Sequence, residues 1–362
     1  MKLHRQKQSG GDGENIQAGR DVIVNVTGVT PEVAVEIYES RSVLLRQEFS
    51  SQAQSLVDER MDRLRVALFE MFKTPELLSA FANPDFQFNI LEAQRSAARS
   101  GSVDDIGLIV DILAQRAAAK ETPRLRVATR KALEVAGLLS TSTLAGLTAL
   151  WYVVSLSPVE ANLNSFLTGM DENLAPLVDE LPKDGKWLGD LALLDCITLG
   201  TRGFGTLKTV TQLIGENKVP AFTCAGIDRG RDDASKSLQD VDLRLGSLVV
   251  PHPLDSSLTV LIGRDEDNIR EIATTVCGGA LADDAEAALT SLIAEMRLQQ
   301  RISDYETKLN IEIDKFPSVA AVRDWAQDFP AVDLTSVGIA VSYANLRRVL
   351  PGVTLPDLDT VL

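Results

Sequence analysis

Residues 43–73 read VLLRQEFSSQAQSLVDERMDRLRVALFEMFK. Within this stretch Leu45, Phe49, Ala53, Leu56, Leu64, Leu68 and Phe72 recur every three or four residues, with Arg60 bridging the one wider step. That spacing lines up one face of an α-helix. It predicts one long helix, or two in tandem, over 31–73. Thr30 serves as N-cap, Pro31 opens the first turn, and Ser50, Ser51 and Gln52 offer a bend. Unbroken, the helix would be on the order of 60 Å long at about 1.5 Å per residue. One small domain cannot cover that length, so part of the apolar face is expected to meet other helices or another subunit.

Helical spacing continues downstream. Residues 86–99 lead to Gly101, a natural C-cap. Val103, Ile106, Val110 and Leu113 mark the next face, with Asp104 and Asp105 where the helix dipole favours acids. Leu125, Ala128, Ala132, Ala136 and Leu139 mark another, begun by Pro123. The pattern runs on through 158–181, 186–199, 206–215, 266–277, 284–315, 318–328 and 335–349. In 284–315 its face is Leu298, Ile302, Tyr305, Leu309, Ile313 and Phe316. Residues 216–262 are irregular, with short strands expected at 245–250 and 258–262. No internal repeat of fixed period is evident.

Upstream of Pro31 the composition changes. Residues 9–21 read SGGDGENIQAGRD and 22–27 read VIVNVT, a β-branched run. Two short strands, 15–18 and 21–27, are expected around Gly19 and Arg20. The expected architecture is all-α, a multi-helix body with a short N-terminal β-hairpin arm. Its divisions are an arm and assembly segment over 1–30, an N-terminal helical domain over 31–182, and a C-terminal helical domain over 183–362 that contains the irregular 216–262.

Length and composition fit a globular chain. The 362 residues are 45% hydrophobic and 24% charged, enough to bury a core. Lys and Arg number 36 against 51 Asp and Glu, a net charge of −15, which repels polyphosphate and argues against a dedicated nucleic-acid binder. Residues 135–159 carry no charge, but their strongly apolar part, 144–156 around Trp151 and Tyr152, is about 13 residues where a span needs about 20. A buried central helix is expected there rather than a membrane anchor. Cys196, Cys224 and Cys277 are odd in number and far apart, which fits a reducing cytoplasm and buried thiols. The opening residues are polar and show no hydrophobic signal segment, so no export is expected.

Catalytic patterns are sparse. Residues 200–209, GTRGFGTLKT, resemble a phosphate loop, but Thr206 and Leu207 separate the last glycine from Lys208 and the preceding residues read as helix, so a helix connection is expected. Pro84-Asp85 and Glu306-Thr307-Lys308 contain the letters of a metal-dependent nuclease, yet lie far apart in the chain. Asp228, Asp232 and Asp233 offer oxygens to a hard cation, with Arg229 and Arg231 competing for them. His252, between Pro251 and Pro253 with Asp255 close by, lacks a serine on a sharp turn. Residues 317–350 admit a helix–turn–helix reading, in which Arg347 and Arg348 are equally explained as cations at a helix C-terminus. No catalytic residue, metal or cofactor is assigned.

An isolated hairpin is marginal in water, and the arm has few large side chains to bury. Its backbone groups need a partner surface. Arm residues Asn15, Ile16, Gln17, Ala18, Gly19, Asp21, Val22, Val24 and Val26 are therefore expected to pair with copies from other subunits, assisted by the long helix 31–73. A free tail and docking on the chain's own body are the alternatives.

Four stretches carry a family resemblance: 8–22, with its GGD and NIQAGRDV; 83–88, NPDFQF; 94–105, QRSAARSGSVDD; and 334–348, LTSVGIAVSYANLRR. The chain resembles an uncharacterised family of bacterial proteins with a GGD…NIQAGxDV arm before an all-helical body. Similar arms also precede helical modules in bacterial conflict and anti-phage proteins. The resemblance implies bacterial origin and a sensing or scaffolding part in defence, with an unknown protein trigger or partner, and brings no catalytic residues. The resulting expectation is a cytoplasmic, homo-oligomeric, non-catalytic binding and assembly protein. The competing readings are an effector enzyme, a metal-dependent nuclease or other hydrolase with a site in 216–262 where Asp228, Asp232, Asp233, Asp255 and Glu216 would converge, and a membrane-disrupting effector exposing 144–156.

Overall fold

The computed structural model describes residues 29–46, 51–100, 102–119, 122–158, 160–200, 208–228, 230–327 and 329–362. The arm residues 15–26 and the glycine-rich 201–207 lie outside them. The described chain is mostly helical, with only small two-stranded sheets.

The 31–73 stretch forms two helices, α1 (Pro31–Arg46) and α2 (Ser51–Met71), which fold back on each other rather than extending as a rod. The Tyr38 hydroxyl donates to the Met61 carbonyl at 2.7 Å. Arg46 pairs with Asp58 at 2.7 Å, and Arg65 approaches Glu39 at 3.8 Å. Arg46, at the end of α1, thus meets the first part of α2, while Tyr38 and Glu39, earlier in α1, meet residues farther along α2, which defines an antiparallel pair. The pair buries Leu45, Met61, Leu64, Leu68 and Phe72 against helices of its own chain.

Next come α3 (Pro75–Ser79), α4 (Pro84–Arg99), α5 (Val103–Ala118), α6 (Pro123–Ala136) and α7 (Thr141–Ser155). Side-chain caps set their starts. Asn83 accepts from the Asp85 amide, Thr122 from Leu125 and Ser140 from Thr143. Residues 143–153 of α7 are buried on every side, as a helix apolar all round must be. Among the described residues no helix is long and apolar enough to cross a membrane.

Helix α8 (Leu163–Val178) and α9 (Lys186–Leu193) follow, then β1 (Ile197–Leu199), which corrects the expected helix over 186–199. Asp195, at φ 58°, turns the chain out of α9. After α10 (Val210–Gln212) a π-helical turn, Leu213–Lys218, replaces ordinary helix. Residues 216–262 are more regular than expected: they hold α11 (Arg231–Gln239) and a hairpin of β2 (Val249–His252) and β3 (Asp255–Leu261). Val249 pairs with Leu261 there, and a bulge falls between Pro251 and His252.

Helix α12 (Glu266–Cys277) ends on Gly278 in the left-handed conformation, φ 73°. The expected helix over 284–315 is broken into α13 (Asp283–Met296) and α14 (Tyr305–Ile313), because Arg297 and Asp304 both adopt positive φ. The chain closes with α15 (Pro317–Trp325), β4 (Val332–Leu334), α16 (Ser336–Val349) and α17 (Leu358–Val361). Strand β4 pairs with β1, Leu334 opposite Ile197.

Apolar packing forms two cores. The larger draws on residues between Ala34 and Phe222 and again between Leu309 and Leu362. The smaller lies between Ala221 and Met296. The larger core takes helices from both sides of residue 182, since α15 lies on α8 and α16 lies on α5, α6 and α7. Helix α16 is fixed at its start by Thr335, whose Oγ1 accepts from the Val337 and Gly338 amides, both at 3.2 Å. A side chain at Gly338 would run into the Cys196 carbonyl. Farther along, Ser342 donates to the Leu147 carbonyl and Asn345 to the Thr148 hydroxyl. These buried contacts occupy the face that a DNA-reading helix would have to leave free.

Candidate functional site

Two of the groups singled out in 216–262, Glu216 and Asp255, meet partners on α14. The π-helical turn bulges the backbone at Glu216, and Gly215 brings that backbone close to the Tyr305 ring. Such insertions are frequent at functional sites. The Tyr305 hydroxyl donates to Glu216 Oε1 at 2.6 Å, and the Lys208 ammonium lies 3.0 Å from Oε2. One turn on, Lys308 donates to Asp255 Oδ2 at 2.8 Å. Thr211 donates to Asn310 at 2.7 Å and Gln212 to Glu306 at 3.1 Å, so α10 is laced to α14 through side chains.

The electrostatics follow from these contacts. The Tyr305 hydrogen bond, then that of Lys208, holds the Glu216 carboxyl below its ordinary range. Lys308, then Ser257, does the same for Asp255. Burial, reinforced by the Glu216 charge, pushes the Tyr305 phenol up. Both carboxylates are thus held ionised, each with a donor aimed at it, and serve as fixed acceptors rather than as proton donors near neutral pH. Lys208, the lysine of the glycine-rich stretch, is committed to Glu216 and Asn217.

His252 is buried at 2% exposure at the end of β2. The Leu254 amide donates to Nδ1 at 3.1 Å, which leaves Nε2 to donate to the Cys224 carbonyl at 3.1 Å. Both ring nitrogens are satisfied by the neutral form, and burial lowers the ring's affinity for a proton. Cys224 is also buried, its thiol pushed up to about 11. Lys218, 8% exposed, donates to the Leu156 carbonyl and to the Ser157 hydroxyl at 3.2 Å. Burial, with Arg264 nearby, lowers its ammonium to about 8.

Of the five acids proposed to converge, two meet α14 one turn apart: Glu216 at Tyr305 and Asp255 at Lys308. Asp228 instead pairs with Arg297 at 3.1 Å, and Asp232 and Asp233 sit in the first turn of α11. Among the described residues no group of three His, Cys, Asp or Glu side chains is placed to hold a metal ion. Sequence reasoning missed Lys218 and the pairing roles of Tyr305 and Lys308. Sequence spacing places Tyr305 on an apolar face, and its hydroxyl is the signal that marks it out.

No curated protein and no solved structure matches this chain. One family model, whose description reads only “:-like”, matches residues 32–358, most of the chain and all of the helical body up to the start of α17. The chain therefore belongs to the uncharacterised family that this model describes.

Proposed function

We propose that this protein works by homo-oligomeric assembly and binding rather than by catalysis, in the bacterial cytoplasm, with its N-terminal arm as the joining element. The observation that carries the reading is that, among the apolar side chains the body leaves in solvent at several places, five lie on the helices next to the arm. Val33, Val43, Leu56, Val66 and Met71 are exposed on α1 and α2, the two helices that directly follow the arm, with Val66 at 59%. An arm that adds strands between subunits would bring these helices together and cover such residues. The arm's resemblance to those of conflict and anti-phage proteins supports a sensing or scaffolding part in defence, with a protein trigger or partner.

Val24→Pro tests this without shortening the chain. Proline removes one backbone donor from the proposed ladder while leaving the body untouched. Light scattering should give a smaller particle for Val24→Pro than for the parent. Equal masses would overturn the arm's role.

A further inference from the structure

The two apolar cores belong to two units of one chain, and the smaller unit is inserted in the larger. The chain enters the smaller unit at 219–223 and leaves it at 297–302. These two crossings lie side by side. The Ile302 amide donates to the Thr223 carbonyl at 3.1 Å, Cys224 forms a bridge with Arg301, and the Gly226 amide donates to the Met296 carbonyl at 3.2 Å. Paired crossings define one axis about which an inserted unit can turn, whereas separated ones would hold it at two points.

The backbone departs from regular geometry at both crossings. The π-helical turn Leu213–Lys218 immediately precedes the first. Arg297, closing α13, and Asp304, opening α14, flank the second with φ of 51° and 56°, a region that residues other than glycine rarely adopt. Hinge motions are absorbed at such element ends.

Little at the boundary resists such a turn. The close packing of helices and strands stays within each unit, the exception being Pro220–Phe222 of the first crossing against β3. Between the units lies an apolar cleft of about 300 Å³, with Ala161 and Leu163 on one wall and Val250, Pro251 and Val260 on the other. Walls separated by such a space forgo the dispersion contacts of a packed interface. The like charges of Lys218 and Arg264 repel across the boundary. Holding the units together are Leu254 against the larger core, Arg264 on the Pro158 carbonyl at 3.5 Å, and Lys308 on Asp255 at 2.8 Å. Boundaries this polar and this thin leave two units free to move. We propose that residues 224–296 form a hinged flap, turning on the paired crossings, with the Lys308–Asp255 ion pair as the latch that keeps the cleft closed. Opening separates Leu163 from Val250 and Val260 and exposes the apolar walls.

Spin labels at Arg130 on α6 and Lys236 on α11 read the distance between the units, and labels at Lys236 and Glu271 on α12 read it within the smaller one. All three positions are exposed. The half-buried Cys277 is replaced by serine so that it takes no label. Labelled full chain is diluted into unlabelled chain, so that distances within one subunit are read. Lys308→Glu turns the latch into a repulsion. It should add a second, longer distance between the units and leave the internal distance unchanged. Adding Asp255→Lys restores opposite charges and should remove most of the longer population. With the latch intact, that population should grow about two- to fivefold as salt rises from about 0.1 M to about 1 M, the scale of a partly exposed ion pair being screened. A single, unchanged distance between the units under all these conditions overturns the proposal. So does an internal distance that changes along with the other, or a charge reversal that the double variant fails to rescue. The salt series leaves Lys308 and Asp255 in place, so it decides the question even where a variant does not fold.

Discussion

The Tyr305 hydroxyl donates a 2.6 Å hydrogen bond to the Glu216 carboxylate, which ties the first turn of α14 to a π-helical turn 89 residues earlier in the chain. Removing that donor in Tyr305→Phe leaves Glu216 with Lys208 as its remaining side-chain partner. The expected loss is about 1.5–3 kcal/mol at neutral pH, the usual scale for a hydrogen bond to a charged group. Glu216 has a lowered folded pKa, so its contribution is present above pH 4.5 and is lost as pH falls through the folded value. Urea midpoints of parent and variant should therefore differ at pH 7 and converge in acid. A constant difference across that range would show that the bond does not act through the carboxylate.

His252 titrates in a separate window. Its ring is held neutral by burial, so the unfolded chain takes up a proton that the folded chain refuses. Stability should be intact above about pH 6.5 and should fall as pH drops below it. Replacing the ring in His252→Gln should flatten the slope between pH 7 and 5.5, even if the variant is less stable throughout. Denaturant midpoints across that interval read the slope directly.

Lys218 has the opposite range. Its ammonium, lowered from 10.5 to about 8, disfavours the fold while charged, and the penalty disappears as pH rises through that interval. Compared with Lys218→Met, the parent should gain up to about 3 kcal/mol between pH 8 and 10.5. Using the difference cancels the tyrosines and thiols that titrate in the same region. A difference that does not move with pH would place the ammonium in water.

Gly338 gives a prediction whose sign decides the matter. In an exposed helix, Gly→Ala stabilises by about 1 kcal/mol. At 338 the added methyl group would meet the backbone carbonyl of Cys196, which cannot swing aside as a side chain would. Gly338→Ala should therefore destabilise, by about 1–3 kcal/mol. Chemical denaturation of the single variant suffices to read the sign.

Helix periodicity and capping chemistry were legible in the residues. Thr30 before Pro31 and Pro123 at the start of α6 mark helix starts through local chemistry that a sequence displays. What escaped was set by contacts distant in sequence or by backbone conformations without a residue signature. Arg297 and Asp304 turn left-handed although neither is glycine, and Leu298 and Ile302 continue the helical spacing straight across the break. Helix α11 has only Ala234 and Leu238 buried, so its charged start read as a loop. Glu216 and Asp255 were visible as acids, but Tyr305 and Lys308 lie 89 and 53 residues away from them.

The claim on which the account rests is that the arm joins subunits. Sedimentation or light scattering of the full chain beside residues 29–362 tests it most directly. The full chain should form a larger particle of fixed stoichiometry, and the shortened chain should fall to a smaller one while keeping the helical circular-dichroism signal of its body. Two particles with the same number of subunits would contradict it.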